Sequence, residues 1–579
     1  RLCYWLTEIG LTSVYVCPDL NYGAAVHADK WIPILPNTDA ALQLAIAYVW
    51  LTEGSYDKEY ITTHSYGFEK FEDYVLGKED GVPKTPEWAS EKCGVPEWTI
   101  KALARDWANR VTSLIHGNGG PGIRGPFSTE NARLEVMLLG MSGVGKPGVH
   151  QAKMIEWWFW REWNPLPYQG TIRPDIPNFE EVCRPVDCFD PAGLTPPMYQ
   201  GSHPEMRLLS RLAEQPPLQV IPKCMVHDAI LDPPISWWGL HAFHSPAEDQ
   251  FNHYTFPAPG MSEIHMIWTD SPCWITCWND SNTYIRALQQ PSVECIVAQH
   301  PWLENDCLMA DIVLPVATRF EMLDIGNDLG SGVLTSFFLE EDCIDPVGES
   351  LSDFDAVAKV GEKLGLYEEY TLGKTMPERQ KLCYEVSGMD QFISWEELKE
   401  KQYFVIPCTE EIKEQPPGLS PFAKDPKDSP LTTPTGLLEY SSSAIEKYFP
   451  DDPERPPVPH WVEKSDYHDE RWTSDRAADY PLLCMSNHPH WRMHAQGDDI
   501  TWNREAPTMK IKGPDGYLYE PVWLNPAEAE MRGIQHGDVV KIYNERGIVL
   551  GGAYVTERLM PGVAYMDHGA RWDPVVPGK

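Results

Sequence analysis

The chain has 579 residues, which is enough for roughly three to four domains of ordinary size. Apolar residues make up 42% of it and aromatic residues 11%, so a chain that is disordered throughout is excluded. The 85 acidic and 47 basic side chains give a formal charge of −38, which repels nucleic-acid phosphates and anionic lipid headgroups. No stretch approaches the roughly 18 consecutive apolar residues of a spanning helix. We therefore expect neither a nucleic-acid partner nor a transmembrane segment.

The two ends of the sequence have the appearance of cut ends. The chain starts at Arg1 with residues typical of the middle of an amphipathic helix, and it finishes in proline-rich coil. We therefore expect a fragment that lacks both ends of a longer protein. A cytoplasmic location is expected, and export stays open because a missing N-terminus would take any signal peptide with it.

Residues 1–112 predict a first α/β domain. A short apolar strand at 13–17 is followed by turn residues, and a second strand at 31–35 leads into a capped amphipathic helix. This order is typical of a parallel sheet, whose ligands lie outside the carboxyl ends of the strands. The candidate ligand-binding residues of this domain are Cys17, Pro18, Asp19, Asn21, Asn37, Thr38 and Asp39.

Residues 113–400 predict a second α/β domain. A strand at 113–116 ends in a glycine-rich loop whose backbone can approach a large polar ligand, although such loops are often ordinary turns. Further strands are predicted at 263–268, 293–298 and 310–315. The candidates in this loop are His116, Gly117 and Gly120.

The remaining segments differ in composition. Residues 151–262 form an aromatic, proline-rich insertion that predicts a functional cap or channel, the alternative being aromatic side chains that fix an irregular insertion onto the core. Residues 401–475 are rich in proline and charge and predict a surface linker. Residues 476–579 predict a compact β-barrel built around a hairpin at 539–550 and a short helix capped by Asn525.

Several motifs occur in the order of one known family. They are Pro36-Asn37-Thr38-Asp39, His116-Gly117-Asn118-Gly119-Gly120, Ala310-Asp311-Ile312-Val313-Leu314-Pro315, Ser486-Asn487-His488-Pro489-His490-Trp491-Arg492-Met493-His494 and Asn525-Pro526-Ala527-Glu528-Ala529. Together they resemble the large catalytic subunit of the molybdopterin oxidoreductases, the dimethyl-sulfoxide-reductase family. Within the family, the sequences of residues 115–125 and 22–39 are most similar to the group that includes pyrogallol–phloroglucinol transhydroxylase, the catechol dehydroxylases and acetylene hydratase.

The resemblance implies an α/β fold with two parallel-sheet dinucleotide-type domains and a C-terminal, double-psi-like β-barrel. It also implies molybdenum or tungsten held by two pterin guanine dinucleotides. It implies Gln299, His300 and Asp311 as further candidates, and for Asp311 the alternative is a strand cap. A guanine edge presents donors, so carboxylates such as Asp39 and Asp19 are matching acceptors. The donor-rich segment of Ser486, Asn487, His488, Arg492 and His494 suits pterins and pyrophosphates, and the alternative is a charged turn on the barrel rim.

The implied activity is hydroxyl transfer or reductive dehydroxylation of a phenolic aromatic molecule. Trp157, Trp158 and Tyr199 are the candidate substrate residues, because flat phenolic rings stack on aromatic side chains and a tyrosine hydroxyl exchanges protons. A reductase of the same family for an inorganic or N-/S-oxide acceptor, or a cofactor-free scaffold subunit, is the alternative.

The 14 cysteines are scattered without any CxxC pair, so no zinc ribbon or ferredoxin-type cluster is expected within these residues. We expect no metal ligand from the chain's own side chains. An iron–sulfur cluster is expected on a missing segment or on an electron-transfer partner subunit.

Overall fold

A computed structural model of the chain describes residues 2–117, 125–154, 219, 221–239, 252–270, 274–327, 336–386, 389–405, 418–498, 500–506 and 508–574. Gly120, the three substrate candidates Trp157, Trp158 and Tyr199, and most of the aromatic insertion lie outside the described residues.

Helices and strands alternate along most of the described chain. The helices are α1 (Leu2–Glu8), α2 (Tyr22–His27), α3 (Asp39–Glu53), α4 (Lys58–His64), α5 (Phe68–Val75), α6 (Pro86–Cys93), α7 (Glu97–Ala108), α8 (Ser128–Met141), α9 (Val226–Leu231), α10 (Trp274–Cys277), α11 (Ser281–Leu288), α12 (Asp353–Leu364), α13 (Tyr367–Thr371), α14 (Met376–Val386), α15 (Trp395–Lys401), α16 (Ser420–Lys424), α17 (Ser443–Tyr448), α18 (Thr501–Arg504) and α19 (Pro526–Met531). The strands are β1 (Val14–Val16), β2 (Lys30–Ile32), β3 (Ser65–Tyr66), β4 (Leu114–Gly117), β5 (Gln151–Met154), β6 (Ile235–Gly239), β7 (Asn252–Phe256), β8 (Met266–Thr269), β9 (Cys295–His300), β10 (Ile312–Pro315), β11 (Asp324–Asn327), β12 (Ser336–Glu340), β13 (Tyr403–Val405), β14 (Leu438–Glu439), β15 (Leu483–Met485), β16 (Ile511–Lys512), β17 (Leu518–Tyr519), β18 (Pro521–Leu524), β19 (Val539–Asn544), β20 (Gly547–Val555) and β21 (Val563–Tyr565). The fold is therefore mixed α/β, as the sequence predicts. None of the described helices combines the length and apolar character that crossing a bilayer requires.

The chain divides into two compact units. The first takes its residues from Arg1–Glu156, Glu414–Asn487 and Glu505–Asp567, and the second from Trp157–Lys413, His488–Arg504 and His568–Lys579. The predicted boundary at 112/113 is wrong, because α8 packs in the same core as α3 and α7. The predicted C-terminal domain is also divided between the units.

The first unit is organised around α3. This helix is buried along nearly its whole length because it is rich in alanine and leucine on every side, as expected for a central helix. It ends at Gly54, whose positive φ of 67° provides the left-handed cap. β1 and β2 pair in parallel, as do β4 and β5. The strand–turn–helix order predicted for residues 13–53 is thus confirmed.

The segment predicted as a surface linker belongs to the core of the first unit. Phe422, Leu438, Tyr440 and Val458 are buried against the helices around α3, and the Tyr440 hydroxyl donates to the backbone carbonyl of Met137. The linker prediction is wrong because the prolines and charges of this segment alternate with large apolar residues that pack inward.

The C-terminal part of the first unit contains a five-stranded mixed sheet in the order β15-β21-β18-β20-β19. The predicted hairpin is confirmed, since β19 and β20 pair antiparallel from Asn544↔Gly547 to Val539↔Gly552. Asn525 caps α19 by accepting from the Ala527 N–H. The closed double-psi-like barrel stays a prediction.

The second unit contains a parallel sheet in the order β10-β9-β8. Its core is formed by apolar residues of these strands and of α9 and α11. A separate antiparallel sheet, β11-β12-β13, packs on α14 and α15. The parallel strands at 263–268, 293–298 and 310–315 are confirmed to within a few residues, and the carboxyl end of β9 carries Gln299 and His300.

Candidate functional site

The turn between β2 and α3 is the most constrained polar feature of the first unit. Asn37 adopts a left-handed conformation with φ of 61°, which asparagine tolerates better than most residues. Its amide donates to the backbone carbonyl of Pro126, and the Asn131 side chain accepts from the Ala40 N–H. Thr38 hydrogen-bonds back to the Leu35 carbonyl at 2.6 Å. The turn is therefore held from two sides, by its own residues and by the start of α8.

Asp39, the first residue of α3, has a carboxyl group with a raised pKa. Burial raises this pKa to about 6, the nearby Glu135 carboxylate adds to the effect, and Arg471 opposes it. The residue is nevertheless only partly buried, judged by its exposed surface. The neighbouring Asn37 Oδ1 is buried and has no hydrogen-bond partner among the described residues.

Arg471 completes this turn from the segment predicted as a linker. It is buried, and its guanidinium lies 3.9 Å from the centre of the Trp461 ring and 5.0 Å from that of Phe127. It donates to the backbone carbonyls of Asn37 and Val462. Burial lowers its pKa to about 10, so it stays charged at neutral pH.

The predicted residues after β1 form a second compact turn in the same unit. The Cys17 thiol donates to the Asp19 carbonyl at 3.2 Å, and Asn21 caps α2 by accepting from the Ala24 N–H. Burial raises the pKa of Cys17 to about 12 and also raises that of the Asp19 carboxyl. The Pro18 carbonyl accepts from the Met560 N–H. Asp19 is thus a buried carboxyl whose pKa is raised chiefly by its removal from water.

In the second unit, the side chains of Gln299 and His300 at the end of β9 lie within hydrogen-bonding distance of other side chains of the protein. The Gln299 side chain accepts from the Trp268 indole N–H and donates to Asp353. His300 lies 3.4 Å from a carboxylate oxygen of Glu304, which also accepts from the Gly497 N–H at 2.8 Å. The other Glu304 oxygen is buried without a hydrogen-bond partner among the described residues.

Three histidines form a cluster beside this strand end, which we call the histidine cluster. It consists of His488, His494 and His568. The ring centres of His488 and His494 lie 4.6 Å apart, and those of His488 and His568 lie 4.8 Å apart. Nδ1 of His494 and Nε2 of His568 are separated by 3.1 Å, a hydrogen-bonding distance that requires one intervening proton.

Arg492, predicted to bind a cofactor, makes its described contacts inside the protein. Its guanidinium pairs with Asp498 at 3.2 Å and donates to the carbonyls of His494 and His568. The Cys277 thiol also approaches the His494 and His568 rings, with all three potential ligand atoms within 4.8 Å of one another. One thiol and two imidazoles at this spacing could hold a metal ion, which the sequence reasoning did not anticipate.

Asp311 precedes β10, and its carboxylate accepts from the Ile296 N–H at 2.8 Å. This is the strand-capping contact that was the alternative, and it lies at the opposite end of β9 from His300. Ser486 and Asn487 are exposed after β15. His116 and Gly117 end β4, and the His116 side chain lies outside the described residues.

The sequence reasoning missed Arg471, Glu304 and His568. Arg471 lies in a segment whose composition suggested a linker. The one sequence feature that pointed to a packed arginine there was the nearby Trp461, on whose ring the guanidinium lies. Glu304 follows His300 by four residues, a spacing that can bring the two side chains together. His568 is distant in sequence from the segment 488–494, so no local pattern joins them.

Comparison with known families supplies the class of protein. A family model described as molybdopterin oxidoreductase matches residues 5–363, and one described as the molydopterin dinucleotide binding domain matches residues 482–574. The chain therefore belongs to the molybdopterin oxidoreductase family. This membership identifies it with enzymes that use a molybdenum bis(molybdopterin guanine dinucleotide) cofactor.

Individual relatives narrow the comparison. The chain is 34% identical over 612 aligned residues to the pyrogallol hydroxytransferase large subunit of Pelobacter acidigallici, covering 99% of this chain and 67% of that protein. It is 29% identical to trimethylamine-N-oxide reductase of Haemophilus influenzae, covering 95% of this chain and 60% of that protein. The solved structure of acetylene hydratase from Pelobacter acetylenicus matches with a TM-score of 0.60 at 15% identity, covering 98% of this chain and 68% of that one. This last likeness supports the fold alone. The chain thus spans about two thirds or less of these relatives.

Proposed function

We propose that this chain is the main part of the catalytic subunit of a molybdenum or tungsten enzyme that transfers or reductively removes a hydroxyl group on a phenolic aromatic substrate. The observation that carries the proposal is the 34% identity to a pyrogallol hydroxytransferase large subunit along 99% of the chain. The metal and its two pterins, when bound, supply the redox chemistry. The protein binds the cofactor, orients the substrate and shields both from water.

We assign one guanine to the turn between β2 and α3. A guanine edge presents the N1–H and the exocyclic amine, which are both donors. Asp39 and Asn37 offer two neighbouring acceptors, of which Asn37 Oδ1 is buried without a partner among the described residues. A ligand with paired donors would satisfy both acceptors. The chemistry of this turn therefore fits the cofactor that family membership implies.

We assign the pterin-facing role in the second unit to the histidine cluster. His488 and His494 offer ring nitrogens that can donate or accept, as the polar edges of a pterin require. The Cys17–Asn21 turn, the glycine-rich loop from His116, and the exposed Ser486 and Asn487 are proposed as further cofactor contacts. The substrate contacts remain assigned to Trp157, Trp158 and Tyr199, on the resemblance alone.

The test is made on the full-length protein. Metal analysis and the fluorescence of the oxidised, released pterin report the cofactor, and assays with pyrogallol and a catechol report the substrate class. We expect metal, pterin and turnover of the phenolic substrates. Protein that carries the cofactor but turns over neither phenol contradicts the aromatic substrate class.

Reduction of an N-oxide is the second candidate. It is favoured by the 29% identity to a trimethylamine-N-oxide reductase over 95% of the chain, which is close to the value for the hydroxytransferase. Assay with trimethylamine N-oxide beside pyrogallol separates the two. Activity confined to the N-oxide would replace the first proposal with this one.

An electron-transfer partner with an iron–sulfur cluster is part of the same proposal. A hydroxyl group that is removed reductively requires electrons from outside the site, and the described residues offer no CxxC-type cluster ligands. Co-purification with the untagged partner, followed by iron analysis, tests this part.

A further inference from the structure

Arg492 and Asp498 form an ion pair that is removed from solvent. Their side chains are each 1% exposed, and Nη1 of Arg492 lies 3.2 Å from a carboxylate oxygen of Asp498. The other Asp498 oxygen lies 3.4 Å from the Arg571 N–H, an acceptor contact at the long end of the range. A buried charge pair costs desolvation energy, so it stabilises a structure only when further hydrogen bonds complete it.

The further hydrogen bonds of Arg492 reach the two histidine-bearing segments. Nε donates to the His494 carbonyl at 3.1 Å, and Nη2 donates to the His568 carbonyl at 2.7 Å. One planar guanidinium therefore fixes two backbone carbonyls that lie 74 residues apart in sequence. A guanidinium can do this because its donors diverge in one rigid plane, which a lysine ammonium cannot reproduce.

The backbone around these carbonyls is constrained to match. His494 has a positive φ of 53°, an unfavourable conformation for a residue with a side chain. Gly569 packs directly against it, since a Cβ at Gly569 would lie 2.3 Å from the His494 carbonyl oxygen. The two segments approach so closely that the imidazoles of His494 and His568 come within hydrogen-bonding distance.

We infer that Arg492 and Asp498 are positioning residues that hold the His494–His568 imidazole pair in the orientation in which it contacts the pterin cofactor. The inference rests on the proposed function, which places the histidine cluster against that cofactor. It replaces the expectation that Arg492 binds the cofactor directly. The Arg492 guanidinium pairs with Asp498, which also lies 3.8 Å from the Arg504 guanidinium, and the Arg492 donors hold the histidine backbone.

The test compares variants of the full-length holoenzyme. Arg492→Lys keeps the positive charge but loses the diverging donors of the planar guanidinium. Asp498→Asn keeps the shape of the side chain but loses its negative charge. His568→Ala removes one imidazole while leaving the carbonyl that Arg492 holds. The matched control is Glu520→Gln, because Glu520 forms a comparably buried pair with Lys510 at 2.7 Å in the first unit, outside the histidine cluster.

We expect Arg492→Lys and Asp498→Asn to lower pterin content per folded chain by about fivefold, which corresponds to about 1 kcal/mol. We also expect them to change the paramagnetic resonance signal of the bound metal. The double variant Arg492→Lys/His568→Ala should retain no less cofactor than the single variant with the lower content, because both changes act on the same His494–His568 imidazole pair. Glu520→Gln should lower the thermal midpoint and leave both readouts at the wild-type value.

The outcomes separate the inference from the proposed function. Wild-type protein with pterin, together with Arg492 and Asp498 variants that behave like Glu520→Gln, overturns the inference alone. Strictly additive losses in the double variant do the same. Wild-type full-length protein without pterin overturns the proposed function and the inference with it.

Discussion

Arg471 donates a hydrogen bond to the backbone carbonyl of Asn37 across 434 residues of chain. The contact joins a proline-rich segment to the turn that carries Asp39, and the stacked Trp461 ring holds the guanidinium in place. The candidate guanine site is therefore formed by residues from three parts of the sequence: the β2–α3 turn, the chain before α8 and the segment around Arg471.

Replacement of Arg471 by methionine is expected to destabilise the protein by about 3 kcal/mol, because the buried Asn37 and Val462 carbonyls lose a charged donor. The free energy of unfolding from urea titration measures this. The control is Arg455→Met, which removes an exposed arginine paired with Asp452 and should cost less than about 1 kcal/mol. Equal losses in the two variants would mean that Arg471 is not a structural part of the turn.

Replacement of Asp39 by asparagine is expected to change the pH dependence of stability in cofactor-free protein. The folded-state pKa of about 6 lies above the ordinary 3.8, so the folded chain binds the proton more tightly than the unfolded chain does. The contribution of Asp39 to wild-type stability should therefore fall as the pH rises from about 4 to 6, and its full penalty should persist above pH 6.

The asparagine variant lacks this penalty. It should match the wild type near pH 4 and exceed it above pH 6, by at most about 3 kcal/mol for a shift of about two units. Thermal unfolding of both proteins across this range, prepared in a host that cannot make the pterin, is the measurement. A stability difference that stays constant with pH would show that Asp39 is not the titrating group.

Glu304→Ala is expected to loosen the segment that carries the histidine cluster. Glu304 is 1% exposed and accepts from the Gly497 N–H, so its loss leaves a buried donor unsatisfied at a cost of about 1–3 kcal/mol. Hydrogen exchange should become faster across residues 488–498. Glu294→Ala is the control, because the Glu294 side chain is exposed and its partner among the described residues is the exposed His265, in a weak pair at 3.4 Å. Unchanged exchange in the Glu304 variant would contradict the anchoring role.

Thiol reactivity should follow the environment of each cysteine. Burial raises the pKa of Cys17 and of Cys93 to about 12, so both should remain thiols at pH 8 and resist iodoacetamide in the folded protein. Exposed Cys343 should be alkylated. Peptide mass spectrometry before and after unfolding gives the comparison, and rapid alkylation of Cys17 in the folded state would show that its turn is open to solvent.

Local patterns predicted much of the fold. The strands at 13–17, 293–298 and 310–315 and the helix starting at Asp39 follow from short runs of apolar residues bounded by turn residues, which carry their own structural signal. The hairpin of β19 and β20 follows in the same way. The polar residues after these strands could therefore be named from the sequence, including the Asn37–Asp39 turn.

Long-range packing could not be predicted. Residues 401–475 look like a linker because proline and charge dominate their composition, yet Tyr440 and Arg471 are buried by partners more than 300 residues away. The surroundings of Arg492 could not be predicted for a related reason. A sequence shows that an arginine is present, but only the fold shows that Asp498 and two backbone carbonyls surround its guanidinium.

The central claim, that this chain holds a pterin guanine dinucleotide cofactor through the Asn37–Asp39 turn, is tested most directly by the guanine nucleotide content of purified full-length protein and of its Asp39→Asn variant. Acid hydrolysis followed by chromatography gives the ratio of guanine nucleotide to metal. The account predicts about two guanine nucleotides per metal ion in the wild type, as the family's cofactor requires, and a reduced nucleotide content per folded chain in the variant. Wild-type protein without guanine nucleotide, or a variant that retains the full amount, would contradict it.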